Sequence, residues 1–99
     1  MDRMTQQECR VWIEALRSGK YEQCRGRLKG GNQGLSGYCC LGVAEEVCNA
    51  PRKSKYGLDY SYLRGEQQSD LIRMNDAERM SFKRIADYIE QKILPTLPE

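Results

Sequence analysis

The stretch Gly37-Tyr38-Cys39-Cys40-Leu41-Gly42-Val43 is a glycine-bounded apolar run with two adjacent cysteines, in a chain that contains no histidine. Neighbouring Cα atoms are about 3.8 Å apart, closer than the roughly 4.4–6.8 Å of an unstrained disulfide, and the cysteine count of five is odd. Because free cysteine is among the most buried residue types, we expect Cys39 and Cys40 to be reduced thiols in the packed core.

The residues after this run predict a short buried helix from Leu41 to Asn49, ended by Pro51. Its apolar face would contain Cys40, Val43, Ala44 and Val47, with Glu45 and Glu46 pointing away.

Residues 21–40 on the N-terminal side predict an antiparallel β-hairpin. From Tyr21 to Lys29 the pattern has period two, and residues 30–34 form a glycine-rich turn before a second strand at 35–40. One strand face would present Arg25, Arg27 and Lys29, and the other Cys24, Gly26 and Leu28.

The first helix has a clear start, because Thr5 and Glu8 have the spacing of a capping box. Gly19 is the predicted stop. Four residues recur at the spacing of one helix face, and we expect them to be buried: Cys9, Trp12, Ile13 and Leu16.

The C-terminal half predicts a third strand at 58–62, although glycines at 57 and 65 also fit a loop. Ser69 would cap a short helix that Asn75-Asp76 breaks, and Ser81 would cap a last helix that Pro95 and Pro98 end. The apolar face of this last helix is Phe82, Ile85, Ala86, Ile89 and Ile93. The expected fold is therefore a single α+β domain over residues 1–99, with helices packed on a small antiparallel sheet.

Three blocks of the chain, residues 12–21, 38–43 and 74–89, resemble small uncharacterised proteins of bacteriophages and prophages. Those proteins carry Trp-x-x-Ala-Leu-x-Ser-Gly-x-Tyr, then Tyr/Phe-Cys-Cys-Leu-Gly-Val, then Asn-Asp and Ser-Phe-x-x-Ile-Ala. Residues 49–68 depart from the pattern, because they are short, basic and rich in tyrosine. The resemblance implies a phage setting and does not imply an activity.

Composition narrows the class of protein. The chain has 99 residues and 39% hydrophobic content, which suits one small globular domain. It contains no apolar run near the roughly 20 residues that span a bilayer and no hydrophobic signal segment. We expect a soluble protein of the host cell cytoplasm that has no membrane partner.

Catalytic and metal chemistry have little support in the sequence. Without histidine, Ser-His and Cys-His pairs are excluded, so Cys24, near Lys20 and Arg25, is the remaining candidate nucleophile. A small hydrophobe facing inward is the preferred interpretation of Cys24. The five cysteines lack the short paired spacings of zinc sites, and no glycine-rich phosphate loop is present. We expect no metal, no cofactor and no enzymatic activity.

The charge distribution gives the functional hypothesis. Residues 19–65 hold eight positive and four negative charges, whereas residues 66–99 hold five positive and seven negative. The stripe Arg25, Arg27 and Lys29 suits phosphate binding, although it also suits a strand face kept charged against edge pairing. A second set adds tyrosines for base stacking: Arg52, Lys53, Lys55, Tyr56 and Tyr60.

The charge distribution and the resemblance together predict a phage-type accessory binding protein that acts on host machinery through a charged surface, as an inhibitor of a bacterial defence system of the anti-CRISPR or a related anti-defence kind. Candidate partners are a host protein, a protein–nucleic acid complex, a nucleic acid or small nucleotide on the basic face, and a second copy of the chain. A sponge for a small nucleotide signal is the first alternative. A cysteine-dependent enzyme is the outlying one.

Overall fold

The computed structural model of the chain describes residues 3–24, residue 28 and residues 37–99. Within these residues four α-helices and one two-stranded antiparallel sheet form an α+β fold, which confirms the predicted class. None of the described helices is long and apolar enough to cross a membrane. The elements are α1 (Gln6–Arg17), α2 (Cys40–Cys48), β1 (Arg52–Ser54), β2 (Gly57–Leu58), α3 (Gly65–Ile72) and α4 (Phe82–Tyr88).

Two of these helices continue in altered helical form. The segment Arg73–Ala77 extends α3 as a π-helix. The segment Ile89–Ile93 extends α4 in the same way and is followed by a 3-10 turn, Leu94–Thr96, that contains Pro95.

Helix α1 begins as predicted. The Thr5 hydroxyl accepts a hydrogen bond from the Glu8 amide, and the Glu8 carboxylate accepts one from the Thr5 amide at 2.9 Å, which completes the capping box. The predicted face Cys9, Trp12, Ile13 and Leu16 is buried. Helix α1 packs through this side against α2 and α4.

Helix α2 is the buried centre of the fold. It starts one residue before the predicted range, and both Cys39 and Cys40 lie in the core, as predicted. The Trp12 indole donates a 2.8 Å hydrogen bond to the Cys40 carbonyl oxygen. This bond gives the one polar atom of a fully buried tryptophan a partner.

Gly42 of α2 lies directly against the backbone of Leu28. A Cβ at Gly42 would be 1.7 Å from the Leu28 carbonyl oxygen, so the position excludes any side chain. The same carbonyl accepts a hydrogen bond from the Cys39 amide at 3.0 Å, and the Leu28 amide donates to the Lys55 carbonyl oxygen at 2.9 Å. Leu28 is fully buried. It therefore links α2 to the end of β1.

The C-terminal helices close the core over α1. Ser81 caps α4 as predicted, and the predicted apolar face of α4 and its extension is buried. The Gln6 amide donates to the Pro98 carbonyl oxygen at 2.8 Å, and the Gln6 side chain donates to the Leu97 carbonyl oxygen at 3.2 Å. The first turn of α1 is thus bonded to the last residues described.

The antiparallel hairpin predicted for residues 21–40 is wrong in the residues that can be compared. The pair Gln23 and Tyr38 forms an isolated parallel bridge, and the antiparallel sheet lies instead at residues 52–58. The remaining hairpin positions, 25–27 and 29–36, lie outside the described residues. Period two identifies a face of a strand but not its partner or direction, which explains the error.

The third strand predicted over 58–62 is also wrong, because β2 ends at Leu58. The Asp59 carboxylate accepts hydrogen bonds from the Ser61 amide at 2.8 Å and the Ser61 hydroxyl at 2.5 Å. Such local bonds favour a turn over a strand. The loop alternative, which the flanking glycines suggested, is what the chain adopts.

The predicted boundaries of α3 need two corrections. Helix α3 begins at Gly65, so Ser69 lies inside it rather than at its cap. Asn75-Asp76 does not break the helix, because it lies within the π-helical extension. The buried Asn75 amide donates to the Cys24 carbonyl oxygen at 2.9 Å and accepts from the Gln23 side chain at 2.8 Å. Contacts with a distant segment thus stabilise residues that locally favour a break.

Candidate functional site

The hairpin β1–β2 presents most of the second predicted basic set. Its strands pair Arg52 with Leu58 and Ser54 with Gly57 around a turn at residues 55–56. Residues 52–56 are exposed, whereas Leu58 is fully buried. The hairpin is therefore anchored at one end and open to solvent along β1 and the turn.

Gln68 of α3 fixes the base of this hairpin. Its side chain is only 2% exposed. The amide oxygen accepts from the Leu58 amide at 2.8 Å, and the amide nitrogen donates to the carbonyl oxygens of Leu58 at 3.1 Å and Leu63 at 2.7 Å. A buried amide with three such bonds holds two chain segments in one arrangement. No sequence pattern identifies Gln68, because a single polar residue in a short helix forms none.

Each lysine of the hairpin lies over a tyrosine ring. The Lys53 amine is 3.8 Å from the centroid of the Tyr60 ring, and the Lys55 amine is 5.3 Å from that of Tyr56. Both distances are within the range of cation–π attraction. Tyr56 and Tyr60 are each 55% exposed. We call Lys53, Lys55, Tyr56 and Tyr60 the Lys–Tyr surface.

Gly65, at the start of α3, lies against the ring of Tyr60. A Cβ on Gly65 would be 3.5–3.6 Å from three consecutive ring carbons, closer than it would be to any atom of Lys53. Equal approach to three ring atoms places Gly65 over one ring face, so the Lys53 amine lies over the other. Tyr60 therefore supports Lys53, and Tyr56 is the more available ring for stacking.

A small concavity of about 180 Å³ opens beside this surface. Both tyrosines and Lys53 line it, together with Gln68 and Ser69 of α3. The Lys–Tyr surface thus consists of two lysines, each lying over a tyrosine ring, next to a small cavity lined by polar and aromatic residues.

Arg52 does not join the Lys–Tyr surface. Its guanidinium makes two 2.7 Å hydrogen bonds to the Glu45 carboxylate, which raise the pKa of Arg52. Such a bidentate pair has defined geometry, so the structure assigns Arg52 to the contact between β1 and α2.

The other predicted stripe, Arg25, Arg27 and Lys29, lies outside the described residues and stays a prediction. Leu28, which belongs to the same segment, donates its amide to the Lys55 carbonyl oxygen. Leu28 is therefore bonded to the turn of the hairpin.

Burial keeps the core thiols protonated at neutral pH. It raises the pKa of Cys9 to about 12 and the pKa values of Cys39 and Cys48 to about 11, and it also raises the pKa of Cys40. A thiol with a raised pKa is a poor nucleophile and metal ligand. In the part of the chain that the structure describes, no group of three or more cysteine or acidic residues is arranged to hold a metal ion.

A second cavity, of about 360 Å³, lies between α1 and the end of α2. Glu8, Val11, Val47 and Cys48 are among its lining residues, and the described lining includes no lysine or arginine. An acidic and partly apolar cavity does not suit an anionic ligand.

The fold and the surface define a small α+β protein with an exposed cationic and aromatic hairpin. The chain belongs to the family described as Domain of unknown function (DUF8296), whose family model matches residues 4–56, just over half of the chain. No curated protein and no solved structure matches the chain. The family match includes Lys53, Lys55 and Tyr56, whereas Tyr60 and Gln68 lie beyond it.

Proposed function

We propose that the protein is a non-enzymatic, phage-type accessory protein that binds single-stranded nucleic acid on the Lys–Tyr surface. Through this binding it acts on nucleic-acid-dependent machinery in the host cytoplasm, as an inhibitor of a bacterial defence system in the manner of anti-CRISPR proteins. The phage setting rests on the resemblance of residues 12–21, 38–43 and 74–89. The binding rests on the geometry of the hairpin.

The observation that carries the proposal is the pairing of each lysine with an exposed tyrosine. Proteins that bind single strands without sequence preference combine cations for phosphates with aromatic rings for bases. Lys53 and Lys55 supply the cations, and Tyr56, which is about half exposed, supplies a ring. Unpaired bases can reach such a ring, whereas stacked base pairs in a duplex cannot.

The thiols support the non-enzymatic part of the proposal. Cys9, Cys39 and Cys40, which are buried, and Cys48, which is half-buried, have raised pKa values because they are partly or wholly removed from water. These four side chains therefore contribute to packing rather than to nucleophilic chemistry.

Cavity size favours a strand over a free nucleotide as the ligand. Pockets for drug-sized molecules have volumes of roughly 300–1,000 Å³, and the cavity beside the hairpin has about 180 Å³. The larger cavity between α1 and α2 lacks a described cation in its lining. The nucleotide-sponge alternative therefore has less support than strand binding.

The direct test measures binding of a labelled twelve-nucleotide single strand by fluorescence anisotropy at several salt concentrations. Replacing Lys53 and Lys55 with glutamine should weaken binding. It should also reduce the slope of log affinity against log salt by about 1.4, since each phosphate contact with a single strand contributes about 0.7. The matched control is Lys83→Gln with Lys92→Gln, which removes two exposed lysines from the C-terminal helices.

The proposal predicts that only the hairpin variant changes the affinity and the salt slope. Equal losses in both double variants would mean that net charge, and not the hairpin, governs binding. No salt-dependent binding by the wild-type protein would contradict the proposal outright.

The anti-defence part is tested by plating a phage on a bacterial strain with CRISPR immunity against it. Expression of the wild-type protein should raise the plating efficiency, and Lys53→Gln with Lys55→Gln should remove that effect at equal protein level. Unchanged plating with the wild-type protein would contradict CRISPR inhibition while leaving the binding measurement intact.

A further inference from the structure

We propose that the cavity beside the hairpin holds one unpaired nucleobase of the bound strand, with the flanking phosphates on Lys53 and Lys55. This inference rests on the proposed function and adds a defined subsite to it. Affinity would then depend on a base as well as on charge.

The size of the cavity sets the class of ligand. At about 180 Å³ it is smaller than the roughly 300 Å³ at which pockets for whole small molecules begin. A planar heterocycle without its sugar and phosphate fits this scale. The backbone of the strand would stay outside, where the exposed lysines are.

The walls suit a flat aromatic ligand. Tyr56 and Tyr60 both line the cavity, and the Ile72 side chain adds an apolar wall. Both faces of the Tyr60 ring are covered, one by Lys53 and the other by Gly65, so Tyr60 gives the cavity a ring edge that is in place before a ligand binds. A preformed wall lowers the entropic cost of binding, and the exposed Tyr56 ring is the one on which a base would stack.

The floor offers a polar group for the edge of a base. Gln68 belongs to the lining, but its side chain is only 2% exposed and is bonded to the Leu58 and Leu63 backbone, so Ser69 is the side chain that the edge of a base can reach. The exposed Ser69 hydroxyl, also in the lining, can donate or accept.

Lys53 lines the cavity, and Lys55 lies over the Tyr56 ring that also lines it. Phosphates on either side of an inserted base would therefore meet an ammonium group. The two lysines and the cavity form one subsite for a nucleotide unit within a strand.

The test compares two ligands that carry the same charge: an eight-nucleotide oligothymidylate, and an eight-unit strand of abasic sites with the same number of phosphates. Stacking of a base on an aromatic side chain predicts that the wild-type protein binds the oligothymidylate roughly 5- to 150-fold more tightly. Ser69→Leu should fill the cavity and move this ratio towards one, while affinity for the abasic strand and its salt slope stay unchanged. Gln91→Leu is the matched control, because it replaces an exposed neutral residue outside the cavity with the same side chain.

Tyr56→Ala is the second variant. It removes one wall at an exposed position, where stability changes are usually small, and it should also lower the ratio. Equal wild-type affinity for the two strands, or a ratio unchanged in both Ser69→Leu and Tyr56→Ala, would overturn the base subsite while phosphate binding on Lys53 and Lys55 stands. Absence of salt-dependent binding to either strand would overturn the proposed function together with this inference.

Discussion

A hydrogen bond from the Leu28 amide to the Lys55 carbonyl oxygen, at 2.9 Å, joins the Leu28–Gly42 contact to the hairpin β1–β2. On one side of that bond, backbone packs against backbone and no side chain fits at Gly42. On the other, exposed lysines and tyrosines stand above the buried amide of Gln68. The comparison indicates that the exposed side chains proposed to bind a ligand can be replaced without disturbing the core. Gly42 and Gln68, which fix the backbone near the hairpin, cannot be replaced in this way.

The largest expected effect on the free energy of unfolding concerns the Leu28–Gly42 contact. Gly42→Ala would place a Cβ 1.7 Å from the Leu28 carbonyl oxygen, so the backbone must move. We expect a loss of about 3 kcal/mol or more in the free energy of unfolding, at the upper end of overpacking effects. Urea denaturation measures it. A loss below about 1 kcal/mol would show that Leu28 moves away at little cost.

The next effect tests the support beneath the hairpin. Gln68→Ala leaves the Leu58 amide and the carbonyl oxygens of Leu58 and Leu63 without their side-chain partner. Loss of buried hydrogen bonds of this kind should cost about 2 kcal/mol in the free energy of unfolding. Gln91→Ala, at an exposed position, is the control. Equal stability of the two variants would mean that the hairpin needs no support from α3.

A smaller effect is the pH dependence of the free energy of unfolding that the buried Cys39 thiol causes. Burial raises the pKa of Cys39 from 9.0 to about 11. The unfolded chain therefore releases this proton at lower pH than the folded protein, and stability falls as pH rises from about 9 towards 11. Between pH 8 and pH 10, the wild-type protein should lose about 1 kcal/mol more unfolding free energy than Cys39→Ala. Parallel losses in the two proteins would show that the Cys39 thiol is open to water.

The smallest effect has the opposite sign and lies at the hairpin. Gly65 has a negative φ, and a Cβ there would make ordinary contact with the Tyr60 ring at 3.5 Å. Gly65→Ala should therefore stabilise the protein by roughly 0.4–1 kcal/mol, mainly by restricting the unfolded chain. Comparison with Gly42→Ala, the same substitution, isolates the effect of position. A loss of stability would mean that Tyr60 tolerates no addition behind its ring.

Local signals in the sequence predict α1 and α4. The Thr5 and Ser81 caps depend on residues three positions away, and the buried faces of α1 and α4 follow helical periodicity. These features need no knowledge of distant residues.

Features that depend on distant contacts were missed or misplaced. Asn75 was expected to break a helix, but it bonds to Gln23 and to the Cys24 carbonyl oxygen about fifty residues earlier in the chain. The direction of the Gln23–Tyr38 bridge depends likewise on where the intervening chain passes.

The sequence predicts the part of the candidate site that depends on local pattern and not the part that depends on distant contacts. The exposure of Lys53 and Lys55 follows from the polar stretch of residues 52–55 after Pro51, and the lysines and tyrosines of this region suggest phosphate and base contacts. The engagement of Arg52 by Glu45 and the buried role of Gln68 depend on how β1 meets α2 and α3. Neither contact leaves a pattern in the sequence.

The hydrogen bonds from Gln6 to Leu97 and Pro98 also impose an order in time. Their partners are separated by about ninety residues, and ribosomes add roughly 5–20 residues per second. The first turn of α1 therefore emerges about 5 to 20 seconds before the residues that bond to it. Until then Trp12 and its neighbours lack the α4 side of their burial. The core can close only after the C-terminal helices have been synthesised, so folding is completed late in translation or after it.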